Sequence, residues 1–244
     1  MKENVLVFSI ALKGYSTIFR NCIRSHQKYC KRHGFQYVCV KRSPGALSPS
    51  EAAWLKLFLL REALAKNYNW VAFIDADCEI RDHAPSFNRT FRKFPVDKSI
   101  FMAKGFSGRI NSGVIFMKKQ PGAIDYLKKV IENGDNAVPP EDEALYENGH
   151  MIHYGKNDPN IRIIEFAKWN NNRELNPESF IQHYSGGILR MGYINDRPFV
   201  RFYNFLLRSR KKYLGYFKKR KPSTTMAEIN VLLNFYKKEY PEFR

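Results

Sequence analysis

No stretch of this 244-residue chain approaches the roughly 18 consecutive apolar residues that a membrane-spanning helix needs. Its opening Val5-Leu6-Val7-Phe8 also lacks the basic region and small-residue cleavage site of a secretory signal, and reads instead as a buried first strand. Cysteine is scarce: Cys22, Cys30, Cys39 and Cys78 form no CxxC pair and no regular framework. That pattern argues against a disulfide scaffold and for reduced structural thiols in a cytoplasmic protein. Repeats and low-complexity segments are missing too, and 14 Tyr, 19 Phe and 3 Trp are far too many large apolar side chains for a disordered chain.

Acidic residues are in short supply: 23 Asp and Glu face 41 Lys and Arg, a formal charge of +18. Between Arg201 and Arg244 twelve basic residues meet three glutamates, so half of the excess lies in the last 44 residues. Such a field attracts phosphates, whether of nucleotides, nucleic acid or lipid headgroups. At about 150 residues per domain the length allows one large domain or two small ones. Strand and helix patterns alternate as far as about residue 190, which predicts one α/β domain over 1–195, a mostly parallel sheet flanked by helices. A basic, aromatic helical extension is expected over 196–244.

Apolar runs predict strands at 5–10, 35–40, 70–74, 99–104 and 112–118, with short late strands at 161–165 and 180–184. Helical spacing covers 16–32, then a helix to Lys66 capped by Ser48 or Ser50 with Pro49 in its first turn, then 120–133 and 141–148. The strongest chemical signal is Trp70-Val71-Ala72-Phe73-Ile74-Asp75-Ala76-Asp77. A strand this apolar belongs inside the protein, yet it ends in two carboxylates at i and i+2. In open α/β sheets ligands bind outside the carboxyl ends of strands, and paired acidic oxygens there suit a hard divalent ion that also takes diphosphate oxygens.

This segment resembles the DxD motif of GT-A-fold glycosyltransferases, which bind a nucleotide sugar through Mn²⁺ or Mg²⁺. Further segments fit in order. Ala53-Trp54-Leu55-Lys56 is similar to the helix from which enzymes of this fold direct a basic side chain to the donor, so the resemblance gives Lys56 the phosphate charge to neutralise. Asn111-Ser112-Gly113-Val114 resembles the strand lining the sugar pocket; a small Ser-Gly pair admits close approach and Asn offers both a donor and an acceptor. Pro140-Glu141-Asp142-Glu143 resembles the acidic start of a helix beside the reaction centre, which makes Asp142 and Glu143, with Asn111, the candidate catalytic residues. Gln182-His183-Tyr184-Ser185-Gly186-Gly187 resembles the late His-x-x-Gly segment, whose imidazole completes the metal site with Asp75 and Asp77 and whose glycines face the diphosphate. Arg190 is a candidate phosphate clamp, although the Lys-Pro-Trp ending of the family is missing here.

The resemblance spans residues 5–190 and implies a metal-dependent enzyme that moves a sugar from a UDP donor to a glycan or other hydroxyl acceptor. The motif spacing is similar to that of retaining galactosyl- and mannosyltransferases. Ala11, Lys13 and Tyr15 in the loop after the first strand would cradle the nucleobase, with Tyr15 as a stacking partner. The basic, aromatic residues 201–221 and the amphipathic pattern at 225–239 also suit an anionic membrane surface, so peripheral docking is an expectation. Two other classes compete. A nucleic-acid-binding protein would explain the charge but needs no acids on a buried strand, and no RNA-recognition or helix-turn-helix motif is present. A sugar nucleotidyltransferase would use paired acids and metal, but Ile10-Ala11-Leu12-Lys13-Gly14 is a poor version of its glycine-rich loop.

Overall fold

The computed structural model describes residues 3–215 and 225–244. Its strands are β1 (Val5–Ile10), β2 (Gln36–Val40), β3 (Trp70–Ile74), β4 (Cys78–Ile80), β5 (Ile100–Lys104), β6 (Ile110–Lys118), β7 (Ile161–Ile164) and β8 (Ile181–His183). The helices are α1 (Tyr15–Ile18), α2 (Arg20–His33), α3 (Pro49–Ala65), α4 (Phe87–Phe91), α5 (Pro121–Glu132), α6 (Asn148–Gly155), α7 (Phe166–Trp169), α8 (Gly187–Asn195), α9 (Pro198–Gly215) and α10 (Met226–Glu239). The main sheet has the order β2-β1-β3-β6-β5-β7, and β4 pairs with β8 in a second, two-stranded sheet. All pairings of the main sheet are parallel except those of β6, which runs against both β3 and β5. This is a mostly parallel sheet flanked by helices, as the alternating pattern predicts.

Period-two alternation sorts each buried strand between two cores. Leu6, Phe8, Val71 and Phe73 point to the layer formed with α3, α5 and α10. Val5, Val7, Trp70, Ala72 and Ile74 point to the opposite, aromatic layer around Phe87, Phe91 and Trp169. The helix boundaries have local causes. Ser48 caps α3 in a reciprocal box, the Glu51 N–H donating to Ser48 Oγ at 3.1 Å and the Glu51 carboxylate accepting from the Ser48 N–H, with Pro49 in the first turn. Gly34, at φ +69°, ends α2 in the left-handed conformation that costs glycine nothing.

Three expectations need correction. The single helix over 16–32 is two, broken at Phe19 (φ −102°, ψ 31°). The helix over 141–148 does not form. Pro140–Asp142 make one 3₁₀ turn, Glu143 is extended at ψ 131°, Tyr146 takes φ +59°, and helix begins only at Asn148. The extended Glu143 and the positive φ of Tyr146, a bulky residue, stop propagation. Nor do residues 225–244 stand apart as an extension. Ile229, Leu233 and Tyr236 share one face of α10 and are buried with Phe243 in the α3 core, and the Phe243 ring meets Phe8 of β1 edge-on at 5.2 Å. Of the basic segment 201–221, residues 216–221 lie outside the described residues. No described helix is long and apolar enough to cross a membrane.

Beneath the β3–β4 turn lies a buried polar network absent from the expectations. His26 of α2 places Nε2 2.7 Å from the carbonyl oxygen of Cys78, and its Nδ1 faces Ser9 Oγ at 3.0 Å and Tyr37 Oη at 3.2 Å. The carbonyl only accepts, so the neutral ring carries its proton on Nε2. Burial lowers the imidazole pKa from 6.5 to about 4, against the partial offset of the Cys78 carbonyl. The unfolded chain therefore binds a proton between these values that the folded protein does not, and stability rises with pH across that window. In urea unfolding the advantage of wild type over a variant lacking this imidazole should shrink on the order of 3 kcal/mol as pH falls from 6.5 to about 4. His26→Gln should flatten that slope.

Candidate active site

The site is assembled where β3 runs out. The Asp75 N–H donates to the Gly113 carbonyl at 2.8 Å, the last rung of β3 on β6, and the Cys78 N–H then closes a turn on the Asp75 carbonyl at 3.0 Å. That turn starts β4, whose three residues pair antiparallel with β8, Cys78 opposite His183. The Tyr184 N–H donates to the Asp77 carbonyl at 2.9 Å, and Asn171 grips β8 from its other side. A slip of one residue in this pairing would turn His183 to the opposite face. In register, His183 Nε2 lies 3.3 Å from Asp77 Oδ1 and 3.7 Å from Asp75 Oδ2.

A chain of amides fixes the imidazole. The backbone N–H of Gly113 donates to Asn111 Oδ1 at 3.0 Å, so the carboxamide presents oxygen on that side. Asn170 Nδ2 donates to the same oxygen at 2.9 Å, which leaves Asn170 Oδ1 to accept from His183 Nδ1–H at 2.8 Å. With Nδ1 committed to Asn170, Nε2 is the ring nitrogen left to face the carboxylates. Gly113 makes room for this: a Cβ there would lie 2.3 Å from His183 Cε1 and 2.9 Å from Asp75 Oδ2.

Positive charge closes the cluster. Arg190, from α8, donates to the second oxygen of Asp77, to the Tyr184 carbonyl through Nε at 2.9 Å, and to the Tyr15 hydroxyl at 3.3 Å. Burial pushes the pKa of Asp77 up, but His183 and Arg190 outweigh it and hold the group below the ordinary carboxylate range. For Asp75 burial wins. Lys56 opposes it and Asp77 adds to it, leaving Asp75 raised to about 6. The site is therefore short of cationic charge on the side of Asp75.

The expected residues divide into two groups. Asp75, Asp77, His183, Asn111, Arg190 and Tyr15 converge. Ala11 is buried beneath them, packed with Ile23 on Ala76, while Lys13 (φ +52°) and Gly14 (φ +86°) form the turn that presents Tyr15. Gly187, at φ +55° with open space beside it, begins α8 just after Gly186. Alternation along β6 sends Ser112 to the other side from Asn111 and Gly113. There its Oγ lies 2.5 Å from Glu147 Oε1 and 3.0 Å from Lys56 Nζ. Lys56, expected to neutralise phosphate charge, is engaged on this side. It is buried, donates to the Ser112 carbonyl at 3.0 Å, and pairs with Glu147 at 2.5 Å. Asp142 is likewise engaged, accepting from His153 Nδ1 at 2.7 Å and Lys156 Nζ at 2.6 Å. Those two contacts hold it below its usual pKa. Glu143 is exposed, its carbonyl accepting from Arg109 at 2.9 Å. The sequence reading missed Asn170, Glu147 and Asn148, whose Oδ1 accepts from the Ser112 N–H at 2.9 Å; the run Asn170-Asn171-Asn172 was the one visible hint. Cys78 Sγ also falls within 4.8 Å of ligand atoms of Asp77 and His183, but burial pushes its thiol far up, which disfavours the thiolate a metal requires.

Residues 2–94, including Lys56 and both aspartates, match the galactosyl transferase GMA12/MNN10 family. No curated protein matches the chain significantly in sequence. Among solved structures, a glycosyltransferase involved in the glycosylation of the major capsid of PBCV-1 superposes with a TM-score of 0.61 at 14% identity, over 78% of this chain and 97% of the other. The apo form of the glycosyltransferase GlyE of Streptococcus pneumoniae superposes with a TM-score of 0.51 at 13% identity, over 75% of this chain and 55% of that one.

The Lys56–Glu147 pair gives a direct test of this architecture. Glu147→Ala leaves a buried ammonium unpaired and should cost about 3–5 kcal/mol in urea unfolding. Lys56→Met with Glu147→Leu should recover most of that loss.

Proposed function

We propose that this chain is a glycosyltransferase of the GT-A type that moves a sugar from a UDP donor to a hydroxyl of a glycan or glycoconjugate with retention of anomeric configuration, a reading supported by the matched family and fold. The observation that carries the reading is the convergence of Asp75, Asp77 and the Nε2 of His183, within 3.3–3.7 Å of the imidazole, at the carboxyl end of a buried strand. Two hard carboxylates and one oriented imidazole fit Mn²⁺ or Mg²⁺, and Asn170 is the kind of outer partner that fixes a ligand histidine. Such an ion, when bound, supplies Lewis-acid stabilisation of the departing diphosphate.

The chain's own groups account for the remaining work. Arg190, held over the Tyr15 and Phe19 rings at 5.9 and 5.6 Å, adds fixed positive charge where leaving-group charge develops. Tyr15, partly exposed on its turn, is available to stack on the base, with Ala11 below. Asn111 is anchored through its oxygen by Gly113 and Asn170, so its amide nitrogen is the group left to meet a sugar hydroxyl. Inversion requires a carboxylate base beside the acceptor. Asp142 is engaged by His153 and Lys156, and Glu147 by Lys56. Neither is a free base, so of these acids only the exposed Glu143 could serve inversion, and the contacts favour retention.

Hydrolysis of a panel of UDP- and GDP-sugars, read as free nucleoside diphosphate, tests the reading without an acceptor. UDP release should require Mn²⁺ or Mg²⁺, stop in EDTA, and vanish in Asp77→Asn. Gly113→Ala, which drives a Cβ into His183, should weaken Mn²⁺ binding by roughly 10–100-fold in a spin-resonance titration. Release that persists in EDTA, or pyrophosphate formed from a nucleoside triphosphate, would sink the proposal.

A further inference from the structure

Helix α9 has two apolar faces, and the fold covers one of them. Val200, Tyr203 and Leu207 point inward with Ile18, Phe19 and Tyr193. There Leu207 and Tyr203 sit so tightly on the β1–α1 turn that a Cβ on Gly14 would lie 2.7 Å from Leu207 Cδ1. On the outer side Phe199, Phe202 and Phe205 are 67%, 60% and 63% exposed, with Leu206 beside them at 46%. Their spacing, i, i+3, i+6 and i+7, makes one continuous stripe. Exposed large aromatics gathered on one helix mark a surface meant to be covered.

The charge around this stripe selects what covers it. Arg201, Arg208 and Lys212 recur at i, i+7 and i+11 and are all exposed, a basic row along one edge. From Arg197 to Ala227 the sequence contains no Asp or Glu. At its Phe199 end the stripe opens on a cleft of about 610 Å³ between α1, α2 and α9. Arg20, Arg24, Lys41 and Arg197 line this cleft, and no acid does. Arg197 is held in place, its guanidinium 3.9 Å from the Tyr193 ring centroid. A partner protein with an apolar patch would leave these cations unmatched, whereas a bilayer with anionic headgroups matches both the rings and the charge.

We propose that the outer face of α9, with the adjoining basic cleft, docks the protein on an anionic lipid bilayer. The aromatic rings enter the headgroup–acyl boundary, and the arginine and lysine side chains take lipid phosphates. Because the inner face of α9 is seated on Gly14, one residue before Tyr15, docking sets the turn that carries Tyr15 beside the membrane plane. This inference concerns attachment and does not rest on the donor chemistry.

Co-sedimentation of the full chain with phosphatidylcholine vesicles, with and without phosphatidylglycerol at physiological ionic strength, tests it. Wild type should bind the anionic vesicles and remain with the supernatant of the neutral ones. Arg201→Gln/Arg208→Gln/Lys212→Gln should weaken binding on the order of a hundredfold, and Phe199→Ser/Phe202→Ser/Phe205→Ser on the order of tenfold or more. All six side chains are exposed, so near-ultraviolet circular dichroism and Tm should match wild type. Equal binding by wild type and both variants overturns the proposal. So does a wild-type dimer in light scattering that the phenylalanine variant dissociates without any change in vesicle binding, because the stripe would then be a contact between copies of the chain. Neither result bears on nucleotide-sugar hydrolysis.

Discussion

Every residue of β3 is buried, and the strand delivers Asp75 and Asp77 to a place where carboxylates lose water that apolar neighbours cannot replace. Asp77 recovers the loss through His183 and Arg190 and stays ionised. Asp75, whose side chain keeps 36% of its exposure, has Lys56 and His183 against desolvation and the repulsion of Asp77, and its pKa still rises to about 6. This imbalance would favour an added cation beside Asp75. It also explains the crowding of amides and a glycine around His183: an imidazole can serve two acids only if its ring is fixed and nothing fills the space behind it.

Strand β6 separates this chemistry from its support. Its odd-numbered residues, Asn111 and Gly113, face the acids. The intervening Ser112 faces a buried ion pair between Lys56 and Glu147, joined by Asn148 at the backbone. An ion pair in the interior seldom adds stability over apolar packing. Here it ties α3 and the start of α6 to the one strand that runs against its neighbours, where Gly113 meets Asp75.

The C-terminal quarter serves two ends. Helix α10 and Phe243 complete the core over β1 and α3, so the fold depends on residues far in sequence from the site. Helix α9 braces the turn that carries Tyr15, and its outer face keeps aromatic and basic groups in solvent. Arg201, Arg208 and Lys212 thus stand in solvent on the helix that braces this turn.

What the sequence determined by itself is what short-range geometry dictates. Runs of apolar residues placed β1, β2, β3, β5 and β6, capping at Ser48 placed α3, and two acids after five buried residues placed the site. The order of the motifs also brought out His183, Asn111 and Arg190. Tertiary structure decided what local periodicity cannot express. Strands β4 and β8 have three residues each, too few for a pattern, yet their pairing brings His183 to Asp77 across more than a hundred residues. The side of β6 on which Ser112 falls, and hence the role of Lys56, follows from which helix covers each face. Asp142 was assigned by its company in sequence, but the chain leaves the helical conformation at Glu143 and Tyr146, and His153 and Lys156 hold its carboxylate. Asn170 and Glu147 act only through partners distant along the chain, and such partnerships exist only once the chain has folded.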